Sequence, residues 1–223
     1  MIVAHPLASG VVAPGVFRPR SDTWLLARAA CREPLPDRPR VLELCAGPAF
    51  AGIAVARRRE GDLTSVDVSR RAVLNARVNA RLNGVKIDAR QGDLFAAVPA
   101  GDFDLILANP PYLPGSDPPD RGPARHWEGG ADGRAVLDRI CAEAPGYLAP
   151  GGTLLLVHSE VCGTHATLGA YTGGGLLADI AASMRGPLGP ILRARRAELE
   201  ADGRLAPGQT VEEVVVARGR TAA

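Results

Sequence analysis

Short apolar runs alternate with longer amphipathic stretches along most of the chain, a pattern that predicts strands and helices in turn. The apolar runs, which we expect to be strands, cover residues 41–44, 63–67, 85–90, 103–108, 153–158 and 211–217. The stretches with helical periodicity cover residues 24–30, 52–59, 70–82, 131–148 and 191–201. Strands that alternate with helices pair in parallel through right-handed crossovers. The pattern therefore predicts an α/β fold built on a mostly parallel sheet.

The segments between these elements carry residues that cap or break helices. Residues 1–20 are predicted to form an irregular arm, and Ser21-Asp22-Thr23 offers N-cap side chains to the first helix. The Pro-rich segment 117–123 and the Gly-rich segment 172–175 are predicted loops. With 223 residues, the whole chain 1–223 is expected to form one domain.

Composition narrows the class of protein. The chain is 46% hydrophobic and 22% charged, as in a soluble globular protein, and its net charge of +2 is too small to indicate nucleic-acid binding. Its four cysteines lie far apart without zinc-type spacing, so we expect neither disulfides nor a metal site. The sequence has no run of membrane-spanning length, and its first residues lack a basic leader. A cytoplasmic location without membrane contact is the expectation that follows.

The most specific motif is Asn109-Pro110-Pro111-Tyr112, directly after the predicted strand 103–108. Because the two prolines have fixed φ angles and no N–H groups, they hold this loop stiff and leave it rich in carbonyl acceptors. The Asn109 side-chain oxygen and the Pro110 carbonyl can accept the two hydrogens of a planar NH2 group, while the Tyr112 ring covers one face. An ordinary Asn-Pro turn is the alternative interpretation.

Further polar and small residues follow the three strands before this motif, at the sheet edge where open α/β sheets bind ligands. They are Glu43 with the small residues Cys45, Gly47 and Ala49 after the first strand, Asp67 after the second, and Asp93 with Leu94 after the third. Asp67 lies about twenty residues beyond Gly47, where an acid can accept both ribose hydroxyls. Asp93 can accept from an exocyclic amine, and Leu94 can flank an adenine ring.

Each of these signals has a structural alternative. Glu43 could be a buried acid satisfied by helix amides, Asp67 a helix N-cap and Asp93 a turn residue. Together with Asn109, however, they lie in order at the ends of successive strands, which favours a nucleoside ligand that carries an ammonium group and no phosphates. S-adenosyl-L-methionine fits that description, whereas a dinucleotide fits poorly because the loop is not G-x-G-x-x-G.

This series of residues resembles the class I S-adenosyl-L-methionine-dependent methyltransferases, specifically the HemK-like glutamine N5-methyltransferases. Two further segments carry the resemblance: Phe17-x-Pro19-x-x-Asp22-Thr23 near the start, and Trp127-x-Gly129-Gly130-x-x-Gly133-Arg134 after the Asn109 motif. The resemblance covers most of the chain, from Phe17 to the last strand. It is closest to the short branch of the family, which lacks the N-terminal helical domain.

The resemblance implies a Rossmann-like, seven-stranded sheet of order 3-2-1-4-5-7-6, with strand 7 antiparallel and helices on both faces. It implies methyl transfer by Asn109, Pro110 and Tyr112 to the glutamine of a Gly-Gly-Gln loop in a translation release factor. The implied cofactor-binding set is Thr23, Glu43, Cys45, Gly47, Ala49, Asp67, Val68, Asp93, Leu94 and Asn109. The implied substrate-binding set is Asn109, Pro110, Pro111, Tyr112 and Trp127. A small zinc-binding activator protein is a further implied partner.

The chain departs from the family pattern in the loop after the first strand. Cys45 and Ala49 stand where this family usually has glycines. Their Cβ atoms would crowd the methionine part of the cofactor, or the backbone there would need negative φ angles.

Two other functions stay open. The first is a nucleic-acid methyltransferase for adenine N6 or guanine N2, with Tyr112 stacked on a flipped base. The arginines that could contact phosphates are Arg121, Arg125, Arg193, Arg195 and Arg196, although the neighbouring acids Glu198, Glu200 and Asp202 favour an ordinary solvated helix. The second is a non-catalytic nucleoside-binding protein. We interpret His126, His158 and Glu160 as structural or solvated groups, not acid–base catalysts.

Overall fold

A computed structural model describes residues 1–115 and 122–222. The strands in this part of the chain are β1 Ile2–Val3, β2 Gly10–Val11, β3 Arg40–Leu44, β4 Asp62–Asp67, β5 Ile87–Gln91, β6 Phe103–Ala108, β7 Leu148–Ser159, β8 Leu177–Pro187 and β9 Val211–Arg220. The α-helices are α1 Ser21–Ala30, α2 Phe50–Arg59, α3 Arg70–Leu82, α4 Ala135–Glu143, α5 Thr164–Gly173, α6 Pro190–Ala194 and α7 Arg196–Ala201.

One seven-stranded sheet has the order β5-β4-β3-β6-β7-β9-β8. β9 runs antiparallel to both of its neighbours, and the pairs from β5 to β7 are parallel. Counted within this sheet alone, the order is 3-2-1-4-5-7-6 with the last strand antiparallel, so the predicted fold is confirmed. The order reverses between β3 and β6, and the carboxyl ends of these strands therefore face a common crevice.

Both faces of the sheet are buried, which explains why its central strands are almost entirely apolar. Along β6, Leu105 and Leu107 face the core beneath α1, α2 and α3. Ile106 and Ala108, at the alternate positions, face the second core beneath α4 and α5. The period of two along a strand thus divides one apolar run between two helical layers.

Two predicted helices are shorter or more broken than expected. The helix predicted over 131–148 is α4 followed by a 3-10 turn at Ala144–Tyr147. Gly130 and Gly133 have φ angles of +87° and +78°, which keeps the residues before α4 out of the helix. The helix predicted over 191–201 is interrupted at Arg195, where φ is −104° and ψ is 11°, and forms α6 and α7.

The sequence analysis found neither α5 nor β8. The sequence of α5 has no clear apolar face, and the segment 172–175, predicted as a loop, holds its last turn and its C-cap Gly174. β8 is an edge strand with mostly exposed or half-exposed side chains, so it lacks the apolar signal of a buried strand. Most of the predicted loop 117–123 lies outside the described residues.

The start of the chain is more ordered than predicted. Within the supposedly irregular arm, β1 and β2 pair in antiparallel fashion. Helix α1 begins at Ser21 with Arg20 as its N-cap residue, so the predicted capping residues form the first turn instead. Thr23 nevertheless acts at this end, because its Oγ1 accepts the Arg20 backbone N–H at 3.3 Å.

Three asparagines spaced four residues apart bind this arm, two of them within α3 and the third, Asn83, at its C-cap. Asn75 accepts the Ala13 N–H and donates to the Val11 carbonyl, and Asn83 makes the same pair of bonds to Ser9. Residues four apart share one face of a helix, so these three amides form a ladder along α3. The spacing of the asparagines is visible in the sequence, but the arm residues that they bind lie more than sixty positions away.

Asn79, in the middle of this ladder, is fully buried. Its Oδ1 accepts the Val11 N–H at 2.8 Å, and its Nδ2 donates to the Pro48 carbonyl at 3.0 Å. A Cβ atom at Gly10 would lie 2.4 Å from the Asn79 oxygen, which explains the glycine at that position. One amide therefore fixes both the arm and the loop that follows β3.

No helix in the described ranges is both long enough and apolar enough to span a bilayer. Within the same ranges, His, Cys, Asp and Glu side chains form no group of three suited to a metal ion.

The buried ladder amide should contribute far more to stability than the exposed one. Asn79→Ala leaves the part-buried Val11 N–H and the buried Pro48 carbonyl without this partner, and we expect it to lower the free energy of unfolding by about 2–3 kcal/mol. Asn83→Ala, whose bonds to Ser9 are exposed, should cost less than about 1 kcal/mol. Denaturant unfolding of the two variants measures the difference, and equal losses would contradict this assignment.

Candidate active site

A cavity of about 1080 Å³ opens at the carboxyl ends of the central strands. It is lined by nearly all of the residues that the sequence analysis selected: Thr23, Glu43, Cys45, Gly47, Asp67, Val68, Asp93, Leu94, Asn109, Pro110, Pro111, Tyr112 and Trp127. They come from separate strand ends, from the first turn of α1 and from a 3-10 turn at Pro123–His126. A cavity of this size is large enough for a nucleoside cofactor together with an acceptor group.

Glu43 lies on β3 beneath the cavity and is 5% exposed. Its Oε2 accepts the Gly52 N–H of α2 at 2.8 Å. Burial raises the pKa of this carboxyl to about 8, although the backbone N–H groups of Gly52 and Ala51 act in the opposite direction. Glu43 is therefore a buried acid whose carboxylate binds a helix amide, and it also lines the cavity. The structural and the ligand-binding interpretations of this residue are compatible.

Asp67 joins the ends of β4 and β3. Its Oδ2 accepts the Gly47 N–H and its Oδ1 accepts the Ser69 N–H, both at 2.8 Å. Burial raises the pKa of Asp67, with these two amides acting against the shift. The N-cap of α3 is Ser69, which accepts from Ala72, so the N-cap alternative for Asp67 is wrong. Each Asp67 oxygen keeps a second lone pair for a ligand hydroxyl.

The loop after β3 keeps a glycine-like backbone despite its side chains. Cys45 and Ala49 have φ angles of 50° and 60°, and Gly47 has a φ of +51°. The expectation that the two non-glycine residues would need negative φ is therefore wrong. Ala49 is fully buried and does not line the cavity, whereas Cys45 does. Only one of the two added side chains thus faces the space where a ligand would lie.

Asp93 is already paired within the protein. Arg139 on α4 donates to both of its oxygens, at 3.2 and 2.8 Å, and both residues of this bidentate pair line the cavity. Leu94, directly after Asp93, is buried with a φ of +46° and lines the cavity beside them. Val68, which follows Asp67, is about half exposed and also lines the cavity, so two apolar side chains are available to contact a ring.

Glycines after the Asn109 motif allow its backbone to be packed tightly. A Cβ at Gly133 would lie 2.2 Å from the Tyr112 carbonyl, and a Cβ at Gly129 would lie 2.8 Å from the Pro111 carbonyl. The Cys162 thiol donates to that same Tyr112 carbonyl at 2.7 Å. Burial raises the pKa of Cys162 to about 12, so the thiol keeps the proton that it donates. These glycine and thiol contacts thus hold the backbone of the Asn109 loop in place.

Side chains connect the motif to the first turn of α1. The Asn109 Nδ2 donates to the Thr23 Oγ1 at 3.3 Å, and the Thr23 hydroxyl donates to Asp22 at 3.3 Å. The Tyr112 hydroxyl donates to the other Asp22 oxygen at 3.1 Å. Among the described residues, neither the Asn109 Oδ1 nor the Pro110 carbonyl receives a hydrogen bond. Both oxygens are thus available as acceptors at the cavity wall.

The histidines and Glu160 occupy different places. His126 lines the cavity, and burial lowers its pKa. His158 is fully buried away from the cavity and its Nδ1 contacts the Ser159 carbonyl. Glu160 lies in a separate surface groove, where it accepts from Gln209. Of the arginines near the mouth, Arg125 lines the cavity and Arg121 lies outside the described residues.

Sequence reasoning missed three residues of this site. Arg139 pairs with Asp93, Glu212 lines the far end of the cavity, and Asp22 holds Tyr112. Glu212 accepts from the Gly189 N–H at 2.8 Å and from the Ser159 hydroxyl at 2.7 Å. Asp22 stands in a segment that carries the family resemblance, but its bond to Tyr112 spans 90 positions, and Arg139 and Glu212 likewise bind residues far away in sequence.

Comparisons with known proteins agree with this geometry. Residues 14–175 match the family model described as methyltransferase small domain. A Methanocaldococcus jannaschii protein, provisionally named a protein N5-glutamine methyltransferase, is 36% identical over 78% of this chain and 87% of its own length. The release factor glutamine methyltransferase of Mycolicibacterium smegmatis is 34% identical over 77% of this chain, but the match spans only 63% of that longer relative.

A solved structure shares the fold. It is the Mtq2–Trm112 complex of E. cuniculi, described as responsible for methylation of the eRF1 translation termination factor. The chain superposes on it with a TM-score of 0.62 and 22% identity, covering 93% of this chain and 99% of that one. With the strand order above and a family match over most of its length, this chain belongs to the methyltransferase small domain family and has the class I methyltransferase fold.

Proposed function

We propose that this chain is an S-adenosyl-L-methionine-dependent methyltransferase that modifies the side-chain amide of a glutamine in a translation release factor. The observation that carries the proposal is the orientation of Asn109, whose nitrogen is bound to Thr23 and whose oxygen is thereby left for an acceptor. The names of the relatives support the same substrate, because both concern glutamine methylation.

The residues around the cavity fit the cofactor. Asp67 would accept the ribose hydroxyls, Glu43 would face the ammonium group, and Leu94 with Val68 would contact the adenine ring. Gly47 leaves its wall open, because the nearest atom to a Cβ there would be 3.7 Å away at Phe17. When bound, the cofactor supplies an electrophilic methyl group on a sulfonium. Transfer of that methyl group to an amide nitrogen needs no strong base.

The motif would act on the acceptor by position and polarity. An amide nitrogen is a poor nucleophile because its lone pair is delocalised into the carbonyl. Two acceptors, the Asn109 Oδ1 and the Pro110 carbonyl, would fix the NH2 group and favour the partly positive, pyramidal nitrogen of the transition state. The methylated nitrogen is then acidic enough to lose one proton to water. The Tyr112 ring would hold the acceptor plane in place.

Three of the arginines that could support nucleic-acid binding are engaged within the protein, whereas Arg125 lines the cavity. Arg195 donates to the Pro114 carbonyl and to Glu198, and Arg193 donates to the Leu188 carbonyl. Arg196 pairs with Glu200 at 3.3 Å. A phosphate track needs cations that can release their counterions to a phosphate backbone. No observation specifically favours the nucleic-acid alternative, and the open cavity argues against an inert scaffold.

A small activator protein remains part of the proposal. The solved neighbour is a two-protein complex, and α3 exposes an apolar row at every fourth residue: Leu74, Val78 and Leu82. These side chains are 46–62% exposed, which is unusual for three leucine or valine residues on one helix face. An exposed apolar row of this kind is more favourable when a partner protein covers it than when it contacts water.

Replacing apolar residues of this row with lysines should prevent a partner protein from binding there without changing the cavity. We expect Leu74→Lys with Val78→Lys to keep binding of S-adenosyl-L-methionine, measured by calorimetry, and to abolish any stimulation by a zinc-binding activator of the Trm112 type. Arg81→Ala, on the same helix, is the matched control. Equal stimulation of the wild type and the double variant would remove this face from the proposal.

Removing the acceptor amide should affect turnover most. We expect Asn109→Ala to lower kcat for methyl transfer to a purified release factor by about 10²–10³-fold, since one preorganised polar contact in the transition state is lost. Labelled methyl transfer measures it, with total RNA and DNA as competing acceptors. Asn83→Ala is the control. An unchanged kcat in Asn109→Ala would exclude Asn109 from the mechanism, and transfer to RNA instead would overturn the substrate.

The raised pKa of Glu43 predicts a pH-dependent affinity for the cofactor. With a pKa of about 8 in the free protein, the carboxyl is protonated at pH 6, and a cationic ligand favours its ionised form. Affinity should therefore rise with pH between about 6 and 8, by at most about tenfold per pH unit. Glu43→Gln should lack this rise. The ligand's own amino group titrates equally in both proteins, so calorimetry on the pair isolates Glu43; identical pH profiles would refute its role.

A further inference from the structure

We propose that Asp22 is a positioning residue that sets which way the Asn109 amide points. This inference rests on the proposed function for its catalytic consequence, whereas its structural part concerns a hydrogen-bond chain inside the protein. The chain runs from Tyr112 through Asp22 and Thr23 to Asn109. Asp22 and Thr23 are 7% and 8% exposed, so water has little access to replace these bonds.

The direction of each bond follows from the chemistry of a carboxylate, which can only accept. Asp22 Oδ1 accepts from the Thr23 backbone N–H at 2.6 Å and from the Thr23 hydroxyl at 3.3 Å. Since the single hydroxyl proton of Thr23 is used there, only its lone pairs are left for Asn109. The Asn109 amide must then turn its nitrogen toward Thr23, and its oxygen faces away.

The other oxygen of Asp22 orients the second residue of the motif. It accepts the Tyr112 hydroxyl at 3.1 Å, which fixes the ring at the cavity wall. Both ends of the Asn109 loop are therefore held by one carboxylate on α1. Contacts with Gly133 and Cys162 already fix the backbone of this loop. Asp22 therefore determines how the loop's side chains are oriented.

An acid in the first turn of a helix also has an ordinary structural role. It stabilises the N-terminus through the helix dipole and through the bond to the Thr23 N–H. That role predicts a lower melting temperature on mutation, with no specific loss of turnover. Catalytic positioning predicts a lower kcat, because alanine at position 22 frees the Thr23 hydroxyl proton, which can then donate to the Asn109 oxygen and turn the Asn109 NH2 toward the acceptor. Two NH2 groups would then face each other.

The test is Asp22→Ala, with Thr23→Val as an independent break in the same chain. We expect each to lower kcat about tenfold to a hundredfold, with the acceptor KM changed less than about threefold, and the double variant to be no worse than the poorer single one. Asp104→Ala is the matched control, because Asp104 also accepts a backbone N–H, that of Arg40, outside the cavity. It should keep wild-type kcat.

A second readout does not depend on activity. The side-chain NH2 signals of Asn109, assigned by their loss in Asn109→Ala, should shift in the nitrogen–proton spectrum of both Asp22→Ala and Thr23→Val. Unmoved signals together with unchanged kcat would overturn the role of Asp22. If the wild type transfers no methyl group to a release factor but these signals shift, the proposed substrate fails and the positioning role stands.

Discussion

The loop after β3 depends on a left-handed backbone that its sequence does not favour. Cys45 and Ala49 both have positive φ, a conformation that costs a non-glycine residue about 1–2 kcal/mol. Backbone and side-chain bonds offset this cost: Gly47 donates to Asp67, Ala46 donates to Val66, and Asn79 donates to Pro48. Because these bonds hold the loop open, a cavity exists at the ends of the strands.

The opposite wall of the cavity, formed by the Asn109 motif, is also held in place by contacts within the protein. There the Asn109 motif needs no bonds to its prolines, since Gly133 lets another backbone approach it closely and Cys162 binds its Tyr112 carbonyl. Both walls are thus fixed by protein groups without help from a ligand. A site that is rigid in advance loses little entropy when reactants bind, which is the main contribution a protein can make to an in-line transfer.

Elements with a strong local pattern could be predicted from the sequence, and those that depend on distant partners could not. The helix 70–82 and the strand 103–108 have their predicted bounds, because periodicity and apolar runs coincide with their burial. β8 was missed because an edge strand has little need of apolar side chains. The site residues lie at predictable strand ends, but Arg139 reaches Asp93 from 46 positions away, and nothing near either residue signals that pair.

The far end of the cavity favours an uncharged acceptor. Pro187, Pro190, Ile191 and Leu192 line it, together with the carboxylate of Glu212. A phosphate there would meet an apolar wall and a negative charge, while Arg193 and Arg195, in and after α6, are bound to carbonyls and to Glu198. A glycine-rich peptide loop brings only backbone polar groups and one amide, so it can enter without leaving a charge unpaired. The charge of the wall and the orientation of the Asn109 oxygen thus both favour a neutral amide as substrate.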